Sequence, residues 1–167
     1  MFTDMQAFSS LAAIDEDTAL DLLSEHNRML MPIVKRHGGK IIKTLGDSIL
    51  GTFNLPSDAL DAGIEMQQRL KTYNKNLPVE RQIHIRIGVH VGEVVVLKND
   101  ILGVVTNLAK RVESIASVDK VYCTEAVRLT VVVPRYRFQK EGIWKPKGSP
   151  QKMEIYSVFQ RNKQRKG

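Results

Sequence analysis

The sequence predicts an α+β domain: a central, mostly antiparallel sheet with helices packed on it. Three observations carry that reading. Ile83, Ile85, Ile87, Val89 and Val91 alternate with His84, Arg86, Gly88 and His90, the period of a strand. Residues 16–36 repeat apolar positions at spacings of three and four, the period of a helix. Strand pairs joined by short turns alternate with helices along the 167 residues, which favours hairpins over parallel crossovers.

In chain order, Met1 to Met5 reads as a strand that begins in its middle, since the apolar residues expected before Phe2-Thr3-Asp4 are absent; either the native start lies here or, the reading favoured, this is a piece of a longer protein. A helix runs from Glu16 to Arg36 and stops at His37-Gly38-Gly39. Lys40 to Phe53 reads as a hairpin whose turn, Gly46-Asp47, holds a carboxylate at the tip of two rigid strands. A second helix opens at Pro56-Ser57-Asp58, with Ser57 as its predicted cap and Ala59, Ala62, Gly63, Met66, Leu70 and Tyr73 as its core stripe. After a polar loop over 74–82 comes the strand Ile83 to Val91, and Gly92-Glu93 turns it into Val94 to Leu97 as a second hairpin. A helix over Gly103 to Ala116 buries Val105, Leu108, Ala109, Val112 and Ala116 and stacks Asn107 and Arg111, four apart, on its other face. Val121 to Cys123 is a strand, Glu125 to Val131 a short helix, and two strands ending near Phe159 close the chain. The order starts like a ferredoxin-type fold.

Composition sets bounds. The length suits one domain, 1–160, followed by a basic disordered tail over 161–167. Lys and Arg number 25 against 18 Asp and Glu, a formal charge of +7, which favours an anionic partner. A ferredoxin-like nucleic-acid binder would need stacking aromatics on its sheet; aromatics are 6% and the strand from 83 to 91 carries none, so nucleic acid is not expected. The single Cys123 allows no internal disulfide and reads as a small buried hydrophobe in a reducing, cytoplasmic setting. No apolar run reaches the roughly 18 residues of a membrane span, and no signal peptide is visible.

Several polar residues then need an explanation. Each alone has an ordinary one: Asp47 in a solvated turn, Lys43 on an exposed strand, Asp100 capping the next helix, Asn107 and Arg111 on a solvated helix face, His84 and His90 as structural residues. Their order and spacing change the reading. Phe2-Thr3-Asp4-Met5, Gly38-Gly39, Lys43-Thr44-Leu45-Gly46-Asp47, Arg86 to Gly92, Asp100 to Gly103 and Asn107-Leu108-Ala109-Lys110-Arg111 together resemble the catalytic domain of the class III nucleotidyl cyclases, over nearly the whole chain.

The resemblance implies a nucleotidyl cyclase fold and a set of roles. Asp4 and Asp47, with the backbone carbonyl of Met5, would hold two divalent cations, Mg2+ or Mn2+. Asn107 would orient the ribose, Arg111 would stabilise charge at the α-phosphate, and Arg86 and Lys145 would reach the outer phosphates. Lys43 and Asp100 match the base-reading pair. Lys only donates and ionised Asp only accepts, which suits the adenine edge and not guanine. The implied reaction is therefore that of an adenylate cyclase acting on ATP; a guanylate cyclase and a catalytically silent nucleotide-sensing domain are the alternatives. It also implies a homodimer with two sites at the interface, and regulatory domains in the full-length protein. Two departures stand out: Val104-Val105 replaces the family's polar pair, bearing on the ribose pocket, and Pro146 stands where Gly is usual, bearing on Lys145.

Overall fold

The computed structural model describes residues 1–97, 100–145 and 152–161; the predicted tail and Pro146 to Gly148 lie outside them, apart from Arg161. Nine strands and five helices follow one another as β1 (Phe2–Met5), α1 (Phe8–Ile14), α2 (Glu16–Arg36), β2 (Lys40–Leu45), β3 (Ser48–Thr52), α3 (Pro56–Asn74), β4 (Ile85–Val89), β5 (Val95–Val96), β6 (Ile101–Leu102), α4 (Val104–Ile115), β7 (Val121–Thr124), α5 (Glu125–Thr130), β8 (Tyr136–Trp144) and β9 (Met153–Gln160) among the described residues. Seven of the strands form one sheet in the order β2-β3-β1-β4-β7-β9-β8. Every pairing in it is antiparallel except β4 with β7. The α+β expectation holds.

The alternation of β4 divides the molecule into two layers. Ile85, Ile87 and Val89 point to one face, where they join Leu30, Ile33 and Val34 of α2 and Leu60, Met66 and Leu70 of α3 in the main core. Arg86 and Gly88 point to the other face, which α4 covers. Phe2, Leu50, Ile101 and Ala109 form a smaller apolar cluster there. Helix α4 comes close because residue 88 has no side chain: a Cβ built on Gly88 would lie 2.2 Å from the Glu113 amide nitrogen and 2.5 Å from the Ala109 carbonyl oxygen. Both obstructing atoms are backbone, so no rotamer change could admit a methyl group.

The structure corrects several expected elements. Strand β4 is shorter than 83–91 because Asn74 takes over the Ile83 backbone, accepting from its amide at 2.9 Å and donating to its carbonyl at 2.8 Å. Residues 94–97 do not return along β4, which already has β1 on one side and β7 on the other. Instead β5 pairs with β6 in a separate two-stranded sheet. Ser57 does not cap α3; Leu55 is the cap position, Pro56 takes the first turn, and the Ser57 carbonyl accepts from the Tyr136 hydroxyl at 3.0 Å. Helix α1 was not foreseen, since none of its residues is fully buried and its pattern is weak; Asp15 ends it and caps α2 by accepting from the Thr18 amide at 3.0 Å. Strand β2 contains a register irregularity: Ile41 pairs with Gly51, whereas Lys43 pairs with Leu50. No described helix is long and apolar enough to cross a membrane.

Two expectations for stability follow. Gly88→Ala should lift α4 from the sheet and cost about 1–3 kcal/mol or more in urea denaturation; a wild-type midpoint would show that the helix shifts freely. His26 on α2 is fully buried, its Nδ1 lies 3.0 Å from the Asn27 side-chain oxygen, and its Nε2 has no hydrogen-bond partner among the described residues. Burial pushes this imidazole below its ordinary value of 6.5. Protonation is thus easier in the unfolded chain, and stability should fall as pH drops below about 6.5, by up to about 1.4 kcal/mol per pH unit. Replacement by Phe should remove that share of the acid sensitivity, measured as urea midpoints at pH 7.5 and 5.5.

Candidate active site

The site is assembled from three elements on the α4 side of the sheet. Strand β1 supplies Asp4. The β2–β3 turn supplies Asp47, with Gly46 at φ +60°, where glycine carries no steric cost. The Asp47 carboxylate accepts from the Met5 amide at 2.9 Å, which ties the turn to the end of β1 and brings the two acids together. Helix α4 supplies Lys110 and Glu113 beside them.

Asp4 is the hub. Its Oδ1 accepts from the Ser48 hydroxyl at 2.6 Å and from Lys110 Nζ at 3.3 Å; its Oδ2 accepts from the Arg86 guanidinium at 2.7 Å. Burial alone would raise its carboxyl, but the bonds from Ser48 and Arg86 and the charge of Lys110 outweigh that and hold it below the usual carboxylate range. Asp47 is moved the other way, by its own burial first and by the charge of Asp4 second. Glu113 is fully buried. Lys110 lies 2.7 Å from its Oε2 and Arg86 3.5 Å from its Oε1, ion-pair contacts in which neither carboxylate oxygen finds hydrogen-bond geometry. Burial raises the Glu113 carboxyl, partly offset by Lys110.

The remaining predicted residues fall into separate places. Lys43 on β2 meets Asp100, just before β6, at 2.8 Å, and Asp100 also accepts from the Ile101 amide at 2.8 Å. The Lys43 bond, followed by that amide, lowers the Asp100 carboxyl. Asn107 and Arg111 are exposed on α4, away from the face that meets Gly88. Lys145 is exposed just past β8, at the sheet edge opposite β2. Arg86, expected at the outer phosphates, is engaged with Asp4 and with the Ser114 carbonyl at 3.3 Å. Sequence reasoning missed Ser48, Lys110 and Glu113. Lys110 and Glu113 are three apart on the helix already singled out, and Glu113 falls four after Ala109 on its apolar face. A charge at an apolar position was the available signal.

Two carboxylates with different environments are a suitable start for a hard cation. Among the described residues no three or more His, Cys, Asp or Glu side chains are placed to hold a metal ion together, so any cation here would draw on Asp4, Asp47 and further oxygens. Mg2+ is commonly bound in that way, by one or two carboxylates with substrate phosphates completing its shell. The electrostatic strain between Asp4 and Asp47 is what a cation would relieve.

The family model for the adenylate and guanylate cyclase catalytic domain matches residues 1–160. The chain is 34% identical over 131 residues to a Myxococcus xanthus protein named serine/threonine-protein kinase pkn2, covering 77% of this chain and 16% of that protein. It is 30% identical over 121 residues to an adenylate cyclase of Streptomyces coelicolor, covering 72% of this chain and 30% of that one. The chain thus spans less than a third of either relative. Its fold is similar to a solved adenylate/guanylate cyclase/hydrolase from Silicibacter pomeroyi, with a TM-score of 0.82, 27% identity, and coverage of 93% of this chain and 92% of that one.

Proposed function

The chain belongs to the adenylate and guanylate cyclase catalytic domain family, and from that premise we propose that it is an adenylate cyclase, converting ATP to cyclic AMP and pyrophosphate. The observation that carries the choice of ATP is the 2.8 Å contact between Lys43 and Asp100. A donor-only and an acceptor-only group, held together at one place, match the acceptor at adenine N1 and the donor at its amino group. Guanine reverses that demand, so Asp100 facing its O6 would be repelled. The adenylate cyclase named among the relatives agrees with this reading.

In the proposed reaction the ribose 3′-hydroxyl gives up its proton to water, its oxygen forms a bond to the α-phosphorus, the bond from that phosphorus to the bridging oxygen breaks, and pyrophosphate leaves with the electron pair. Asp4, Asp47 and the Met5 carbonyl would hold two divalent cations, Mg2+ or Mn2+, which would supply a lowered pKa at the 3′-hydroxyl and neutralise charge on the leaving group. Asn107 orients the ribose. Arg111 stabilises the charge that grows on the α-phosphate. Lys145 reaches the outer phosphates, and Arg86 does so by giving up part of its hold on Asp4. Asn107 and Arg111 are exposed, while Asp4 and Asp47 lie half-buried beside Lys110. That separation favours a site shared between two copies, with the acids from one chain and Asn107, Arg111, Lys43 and Asp100 from the other. The longer relatives leave room for regulatory domains in the full-length protein.

The double variant Lys43→Glu with Asp100→Cys should lower kcat/KM for ATP about tenfold or more and shift preference towards GTP, since a lost buried base contact costs on the order of 1–3 kcal/mol. Unchanged ATP kinetics would remove both residues from the base pocket. Asp47→Ala and Arg111→Ala should each be nearly inactive as homodimers. After subunit exchange, roughly half the dimers are mixed and carry one intact site, so about a quarter of wild-type activity should return. Activity that stays at background after verified exchange would reject the shared site.

A further inference from the structure

Helix α4 places a positive charge directly beside the proposed metal site. Lys110 Nζ lies 3.3 Å from Asp4 Oδ1, 3.3 Å from Ser48 Oγ and 2.7 Å from Glu113 Oε2, and sits 5.6 Å from the Phe2 ring centroid. Its position is fixed from behind: the α4 backbone is seated on Gly88, and Glu113, one turn on, is fully buried. Asp4 also holds Arg86 at 2.7 Å and is 17% exposed, so both of its oxygens already face protein donors. Asp47 differs. Among the described residues it forms no ion pair, and its carboxylate accepts from the Met5 amide. Asp4, Asp47 and Glu113 against Lys110 and Arg86 leave the cluster with a formal charge of −1, little for a divalent cation to meet.

We propose that Lys110 is a built-in cation of this site, a positioning residue that stands beside Asp4 in the place of a second metal charge. The chain alone then takes up one divalent cation, centred on Asp47, and a second binds only when nucleotide phosphates add negative charge. Lys110 sets the affinity of the site for metal and competes with it at Asp4. This rests on reading Asp4 and Asp47 as metal-binding.

The test is Mn2+ binding to the purified chain without nucleotide, read as free Mn2+ by electron paramagnetic resonance, with folding checked by circular dichroism. Lys110→Met removes the charge and keeps a stem over Phe2; it should bind Mn2+ about tenfold more tightly, equivalent to about 1.4 kcal/mol. Lys110→Arg keeps the charge and should bind as the wild type does. Glu113→Gln removes the rival carboxylate, leaves Lys110 to Asp4 alone, and should weaken Mn2+ binding. The opposite sign keeps the proposal testable if either variant fails to fold. Asp47→Ala should lose binding altogether. Unchanged or weaker binding by Lys110→Met, or unchanged or tighter binding by Glu113→Gln, overturns the role of Lys110. Mn2+ binding that survives Asp47→Ala overturns instead the metal reading beneath it.

Discussion

Everything at the site depends on how closely α4 lies against β4. The helix backbone occupies the space that a side chain at residue 88 would fill. That contact buries Glu113, aims Lys110 at Asp4, and leaves Asn107 and Arg111 on the outside. The neighbouring strands do the rest. β1 lies between β3 and β4, so Asp4 has Ser48 on one side and Arg86 on the other, and both donate to it. A sheet with these strands in another order would scatter the same residues.

Much of this was legible in the sequence, and the limits are physical. Helices α2 and α3 announced themselves because their apolar stripes are long, and the β2–β3 hairpin because Gly46-Asp47 can turn. Helix α1 has no fully buried residue and so leaves no periodic trace. The reach of β4 was overestimated because Ile83 keeps the strand's parity while its backbone is held by Asn74, a side chain no alternation rule sees. β5 was assigned to the wrong partner because pairing depends on which strand edges are free, and β4 has none. At the site, Asp4, Asp47, Lys43 and Asp100 were singled out by the family resemblance of the motifs around them, and the structure brings Lys43 to Asp100 and Asp47 to the end of β1. Lys110 and Glu113 were passed over because a charged residue near an apolar stripe reads as helix surface until the neighbouring strand proves to be a glycine.

The electrostatics have the same origin. Asp4 and Asp47 are both half-buried carboxylates, yet their pKa values move in opposite directions. Burial acts on both in the same sense. The difference comes from neighbours: Ser48, Arg86 and Lys110 stand around Asp4, while Asp47 has the charge of Asp4 itself. One acid is therefore served by the protein and the other is left to whatever arrives from outside.

The irregularity in β2 has a consequence of a different kind. Between Ile41 and Lys43 the strand carries an extra residue relative to β3. Losing the Ile42 codon would restore even pairing and leave Lys43 opposite Leu50, but would remove the apolar side chain that packs beside it against the cluster of Phe2, Leu50, Ile101 and Ala109. The turn holding Asp47 is tied separately to Met5 and would keep its anchor. The two ends of this hairpin can thus be inherited apart: a length change in the strand would alter the packing beside Lys43 without touching the anchor of the Asp47 turn.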